Sequence, residues 1–508
     1  MTTSTPDQTP RPRRDRWFQT DDLVDSLGKR SARGGVYTLG STAFNFVVTT
    51  VSTILITRQL TDEDFGLYGM VIVLTGFANL FANFGLSRAV VQRPHVTHEQ
   101  VSTLFWINLG ICGALALIVA AATPLIVAFY DEPRLAPINL AMAGLFVVAG
   151  LGRQHRALLE RRMEFGRINL VASCNAPVGA ILGVVVAFLG GGYWALVAIP
   201  AGTAVVGALG MWLACGWVPG PPRRRTGVRD MLAFGGHVTG FQFINYLSRN
   251  ADNAMLGYAW GAAPLGLYTR AYSLMMLPIT RVNAPLSTVI IPALSRLNGE
   301  PDRYRMAFRQ AVALTAGFSA PLVMLLAALA PEFIPVLFGE SWASMTPIFL
   351  ALSPATLMAC TNAATNWLYL SHGHVRQQTR VVAVSTFFAL VSMAAGVQWG
   401  AIGLAIAISA FRVAAKLPIF AFACRPTPVG VGDFLAAIAF PYTASVLAAA
   451  AAGVSGGYIH ASDPVVLTCK TLVFLGLYIA LLFGTPWGRR HFDGVRRFKS
   501  RLRPDKAQ

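Results

Sequence analysis

Runs of apolar residues long enough to cross a bilayer recur along this chain from about residue 35 to about residue 485, separated only by short polar breaks. A hydrocarbon core of roughly 30 Å needs about 20 apolar residues per helix, and only helices or closed barrels satisfy their backbone polar groups there. That repetition excludes a soluble fold. Hydrophobic residues make up 54% of the chain and charged residues 13%, with a mean hydropathy of +0.54. The spans fall at about 35–57, 66–90, 101–129, 136–158, 167–189, 192–217, 231–259, 266–293, 306–330, 345–370, 377–397, 400–423, 432–453 and 465–485. The expected fold is an all-α polytopic membrane protein of about 14 transmembrane helices.

The net charge of +18 would suggest nucleic acid in a soluble protein. Here the basic residues stand between apolar runs, where membrane topology accounts for them, so no nucleic-acid partner is expected. Of 41 Lys and Arg residues, 33 fall on one side when loops alternate, and only Arg58 and Arg134 fall in loops on the other. The excess marks the cytoplasmic side and puts both termini there. The six cysteines stand singly, without a CxxC pair or metal-ligand spacing, so no metal is expected. The first apolar run is too long for a signal-peptide core and reads as a retained helix. Phe492, Val495, Phe498 and Leu502 recur at helical spacing among basic residues, as in an interfacial helix or a solvated tail.

Residues 35–74 align without a gap on residues 235–274. Gly35, Gly40, Asn45, the triplet Gly66-Leu67-Tyr68, and Leu74 match Gly235, Gly240, Asn245, Gly266-Leu267-Tyr268 and Leu274. Both segments start from the cytoplasmic side, which predicts parallel repeats with a cavity at their interface. The organisation is then a tail over 1–33, a six-helix lobe over 34–217, a linker over 218–230, a second six-helix lobe over 231–424, two further helices over 425–486, and a basic tail over 487–508.

A charge well inside a helix faces a wet cavity or a partner, because leaving it in hydrocarbon costs several kcal/mol. The stretch from Asn245 to Asn253 is the most polar within any predicted span, and it holds Arg249 and Asp252. These two are three apart on one helical face, so they form either a local ion pair or part of a site. Asp252 is the one acid placed deep in a span and is the candidate for proton coupling. Arg270 and Arg281 are eleven residues apart, about three turns, and share a face, with Pro278 and Pro285 bracketing Arg281. With Arg249 they predict a cationic cavity wall, to which Asn45 and Asn245 would add amides. Guanidinium groups bind phosphate oxygens bidentately, so the expected substrate is anionic. Lys470 reads as a snorkelling side chain, Arg412 and Lys416 as snorkelling or headgroup contacts, and Glu332 as an ordinary loop acid.

Phosphate-loop and HExxH motifs are missing, and the longest inter-helix loops leave no room for a catalytic domain. No catalytic residues and no cofactor are expected. The segment Arg58-Gln-Leu-Thr-Asp-Glu-Asp-Phe-Gly-Leu-Tyr68 resembles a signature of the polysaccharide transport branch of the MOP (multidrug, oligosaccharidyl-lipid, polysaccharide) exporter superfamily. Arg249-Asn-Ala-Asp252, Leu265-Gly-Leu-Tyr268-x-Arg270-Ala-Tyr, Ile291-Pro292-Ala-Leu-Ser295-Arg and Phe338-Gly339-x-x-Trp342 are similar, in order and spacing, to its Wzx-like and colanic-acid-exporter-like members.

The resemblance, over roughly residues 30–425, implies two six-helix lobes opening alternately to each side. It also implies transport of undecaprenyl-pyrophosphate-linked oligosaccharide across the bacterial inner membrane. Arg249, Asp252 and Arg270 carry over by motif, whereas Arg281 rests on its position alone. Polysaccharide polymerase and chain-length machinery are the implied partners. A lipid-linked peptidoglycan precursor flippase, a multidrug antiporter and a membrane glycosyltransferase or polymerase are the competing functions. A cation antiporter would be expected to line its cavity with net negative charge, the opposite of what these arginines supply.

Overall fold

The computed structural model describes residues 27–82, 90 and 91, 96–223, 246, 249–458 and 462–489, and among them every regular element is a helix. Contacts divide the chain into two compact units, Met1–Asn250 and Ala251–Gln508.

The first unit holds α1 (Leu27–Gln59), α2 (Asp62–Ala82), α3 (His98–Ala121), α4 (Thr123–Tyr130), α5 (Leu135–Arg161), α6 (Phe165–Phe188) and α7 (Trp194–Cys215). A capping box starts α3: the Gln100 amide N–H donates to Thr97 Oγ1 at 3.3 Å, and the Thr97 N–H donates to Gln100 Oε1 at 3.1 Å. The predicted span 101–129 is interrupted at Ala122, just before Pro124, which cannot continue the hydrogen-bond ladder. Asn139 in α5 covers the interruption, donating to the Val119 carbonyl at 2.8 Å and to Thr123 Oγ1 at 2.9 Å. A tight turn at Gly190 to Gly192 joins α6 to α7, with φ of 77° at Gly190 and 51° at Gly192. Beyond it the two helices run very close together. A Cβ on Gly202 would lie 2.9 Å from Gly179 Cα, and one on Gly183 would lie 3.0 Å from the Ala195 carbonyl oxygen. Gly179 and Gly183 form a GxxxG pair, which lets backbones approach where lipid supplies no hydrophobic drive.

The second unit begins within the helical residues 249–260 and continues through α8 (Ala262–Arg296), α9 (Pro301–Phe338), a 3₁₀ turn (Glu340–Met345), α10 (Thr346–Ala359), α11 (Asn362–Ser371), α12 (Val375–Gly396), α13 (Gly400–Cys424), α14 (Val431–Gly456) and α15 (Asp463–Gly484). Its core gathers Tyr304 and Phe308 of α9, Trp367 of α11, Phe420 of α13 and Phe434 of α14, with the last two rings stacked at 4.1 Å. The starts of α2 at Asp62 and of α8 at Ala262 keep the offset of the sequence repeat. Gly235, Gly240 and Asn245 lie outside the described residues.

Nine helical segments among the described residues are long and apolar enough to cross a membrane, or ten if the pair bent by 42° at Asn283/Pro285 is one span. The chain is a multi-pass membrane protein. The expected count of 14 is not reached among these residues. Val375–Cys424 runs two predicted spans together, and the predicted span 231–259 is largely undescribed. The linker 218–230 is described only as far as Arg223, and most of the basic tail lies outside the described residues.

Candidate functional site

Tyr246 is the first described residue of the polar stretch and groups with the first unit. Its hydroxyl donates toward the carbonyls of Val73 at 2.9 Å and Ile72 at 3.0 Å in α2, and its ring fills the space that Gly76 leaves open. Asn250 donates back to the Tyr246 carbonyl at 2.9 Å. Arg249 is exposed at the start of the helical run 249–260. Asn45, on α1, donates its amide to the Ala172 carbonyl of α6 at 3.1 Å, so it ties two helices together. Asn245 lies outside the described residues.

Asp252 is 3% exposed, and its carboxylate is satisfied within the second unit. Oδ2 accepts the Tyr268 hydroxyl at 2.8 Å, and Oδ1 accepts the Asn253 N–H at 2.9 Å. Tyr268 stacks on Tyr272 one turn later, with centroids 6.2 Å apart, and the Arg412 guanidinium lies 5.7 Å from the Tyr272 ring centroid. An Arg412 nitrogen also donates to the Tyr272 hydroxyl at 3.4 Å. The tyrosine pair thus bridges an acid near the start of the unit to a base on α13. Neither Tyr272 nor Arg412 was in the predicted site. The signal was a second basic residue deep in an apolar span, and pairing it needed the fold.

Arg270 lies on the straight part of α8 with its guanidinium 5.1 Å from the Phe338 ring centroid. That contact joins two of the sequence segments that carry the family resemblance. Gly339 follows in a backbone conformation with φ of 100°, and Trp342 closes the turn at 1% exposure. Arg281 is exposed, two residues before the bend at Asn283.

Three readings of single residues are corrected. Lys470 does not snorkel: its side chain is 5% exposed and paired with Glu332 of α9, itself 15% exposed, so Glu332 is not a solvated loop acid. Lys416 is buried and bonds to protein oxygens, the Met358 carbonyl at 3.0 Å and Asn362 Oδ1 at 2.9 Å, rather than to headgroups. Both cations reach partners on other helices that sequence spacing could not reveal. In the loops of the first unit, Arg134 bridges Glu132 at 2.8 Å and Glu63 at 2.5 Å. The hydrogen bond from Arg134 holds the Glu132 carboxyl below its usual range.

A sequence profile described as polysaccharide biosynthesis protein matches residues 55–347, more than half of the chain. The chain belongs to that family. Among its relatives, the lipopolysaccharide biosynthesis protein WzxC of Escherichia coli K12 is 25% identical over 392 residues, 75% of this chain and 78% of the relative. The teichuronic acid biosynthesis protein TuaB of Bacillus subtilis 168 is 26% identical over 332 residues, 65% of this chain and 69% of the relative. Among solved structures, the lipid II flippase MurJ in an inward closed conformation superposes with a TM-score of 0.71 at 13% identity, covering 88% of this chain and 98% of that one. An inward-facing MATE family multidrug resistance transporter of the MOP superfamily gives 0.58 at 13% identity, covering 75% and 97%. At such identities the structures establish the fold, which is that of the MOP transporters.

Proposed function

We propose that this family member is a flippase that moves an undecaprenyl-pyrophosphate-linked oligosaccharide across the inner membrane for exopolysaccharide or surface polysaccharide synthesis. The observation that carries the reading is the family match over residues 55–347 in a chain with the MOP transporter fold. The basic residues Arg249, Arg270 and Arg281 give it a chemical basis, because a diphosphate needs bidentate cationic donors along its path. Asp252, held by Tyr268 and linked through Tyr272 to Arg412, is the proposed proton-coupling group. The cytoplasmic placement of both termini follows from the basic excess of the loops, and a polymerase with its chain-length machinery would take up the delivered units. The chain acts as a carrier rather than a catalyst in this reading.

Binding to purified protein tests the assignment. Undecaprenyl-pyrophosphate oligosaccharide should bind more tightly than the same glycan on a neutral lipid, and Arg249→Ala and Arg281→Ala should each weaken binding by about tenfold, the equivalent of one charge-assisted contact. Equal affinity for charged and neutral lipids would overturn the cationic path. Preferential binding of a lipid-linked peptidoglycan precursor would redirect the cargo within the same fold.

A further inference from the structure

Two interruptions meet in the second unit: the bend of α8 at Asn283 and the break between α10 and α11 at Cys360 and Thr361. Although the Cys360 N–H still serves the carbonyls of Thr356 and Leu357, the last carbonyls before an interruption lose some of their intrahelical donors, and in a membrane they must find others. Side chains from three helices supply them. Tyr442 of α14 donates to the Leu357 carbonyl at 2.7 Å, Asn283 of α8 to the Cys360 carbonyl at 3.3 Å, and Lys416 of α13 to the Met358 carbonyl at 3.0 Å. Lys416 also reaches Asn362 Oδ1 across the break, and its ammonium lies 5.7 Å from the Phe434 ring centroid.

Two of these three caps are neutral, which shows that charge is not needed merely to satisfy a carbonyl here. Lys416 nevertheless brings a titratable amine to a site where it is 8% exposed, and its partners are neutral oxygens and an aromatic face. Such an environment suits a monovalent cation. The C-terminal end of a half-helix carries negative partial charge, and unwound backbone carbonyls there coordinate small cations in secondary transporters.

We propose that the Lys416 ammonium is a tethered cation occupying a monovalent-cation site at the α10–α11 break, so that this chain needs no mobile Na⁺ or K⁺ there. In its protonated form the lysine supplies a charge that would otherwise have to be recruited from solution.

The purified full-length protein tests this by thermal unfolding in detergent, in chloride salts of sodium, potassium, methylammonium and choline at equal ionic strength. Lys416→Ala empties the site, and its Tm should rise saturably by about 2 °C or more with methylammonium or Na⁺ over choline. Wild type, and Lys416→Met, whose side chain refills the space without charge, should not distinguish the salts. A Lys416→Ala protein indifferent to the cation would overturn the proposal, as would a wild type that Na⁺ stabilises specifically. If Lys416→Ala does not fold, Lys416→Ser gives the same comparison, and the wild-type arm stands alone. A second arm rests on the transport reading: flipping lost in Lys416→Ala should return with methylammonium. A wild type that does not flip would count against the cargo and leave the unfolding result intact.

Discussion

Lys470 and Glu332 show how little the sequence says about a buried charge until its partner is known. Each is isolated in its own helix, but the fold brings them together beside Gly456, where any side chain would collide with the lysine. Removing one partner strands the other charge, at a cost of about 3–5 kcal/mol, whereas removing both is far less costly. Lys470→Met should therefore lower the Tm strongly, and Lys470→Met with Glu332→Gln should recover most of the loss, as read by thermal scanning in detergent. A double variant no better than the single one would contradict the pairing. Tyr268→Phe removes a donor from the buried Asp252 carboxylate and should destabilise by about 1–3 kcal/mol, while Asp252→Asn should suffer less from the same change. The exposed network of Arg134 makes the contrasting case. Because Glu132 titrates below its usual range in the folded chain, its contribution is present above the ordinary carboxylate pKa and is lost as pH falls through the folded value. An exposed pair contributes at most about 1 kcal/mol, so Arg134→Ala should shift the Tm only slightly at pH 7 and not at all well below the carboxylate range.

At the scale of elements, helix positions were legible because a bilayer demands long apolar runs, and a glycine turn announces itself at Gly190 to Gly192, whereas the predicted span 101–129 ran straight through the interruption before Pro124. Interruptions without such a marker were not legible. The break at Cys360 and Thr361 carries no proline, and only the side chains of Asn283, Lys416 and Tyr442 on three other helices reveal where its carbonyls go. The same holds for the site. The motifs around Arg270 and Phe338 could be read separately, but their contact required the return of α9 onto α8. Arg412 was legible as a buried charge, yet its pairing with Tyr272 depends on helices 140 positions apart in sequence. The α6–α7 contact gives a prediction at this scale. Gly183→Leu would place its side chain into the backbone of α7 near Ala195, separating the helices and costing several kcal/mol, more than overpacking in a yielding core. Folded yield by fluorescence size-exclusion should fall sharply, whereas Gly113→Leu in α3, where a Cβ meets nothing within 4 Å, should behave as wild type.

For the whole molecule, the recurrence of apolar spans points to a polytopic membrane protein, and the fold agrees with it, while the sidedness of the basic residues and the offset of 200 between two Gly-Leu-Tyr segments carry the expected topology and repeat. In the proposed reading, charge separates the functions that such an architecture can carry, because basic residues along a membrane path would suit a diphosphate and oppose a cationic drug. Topology follows from the same charges. Single cysteines placed at Ser462 and at Gly373 in a background without reactive cysteines should react with impermeant maleimide from opposite sides of the membrane, Ser462 from outside and Gly373 from the cytoplasm. The central claim is tested most directly by reconstituting the protein in liposomes with a fluorescent undecaprenyl-pyrophosphate oligosaccharide and following its accessibility to a quencher in the outer leaflet. The account predicts protein-dependent exchange between leaflets that Arg249→Ala and Arg281→Ala reduce at least tenfold while folding and insertion remain intact. Exchange no faster than in protein-free liposomes, across several lipid-linked glycans and imposed ion gradients, would contradict it.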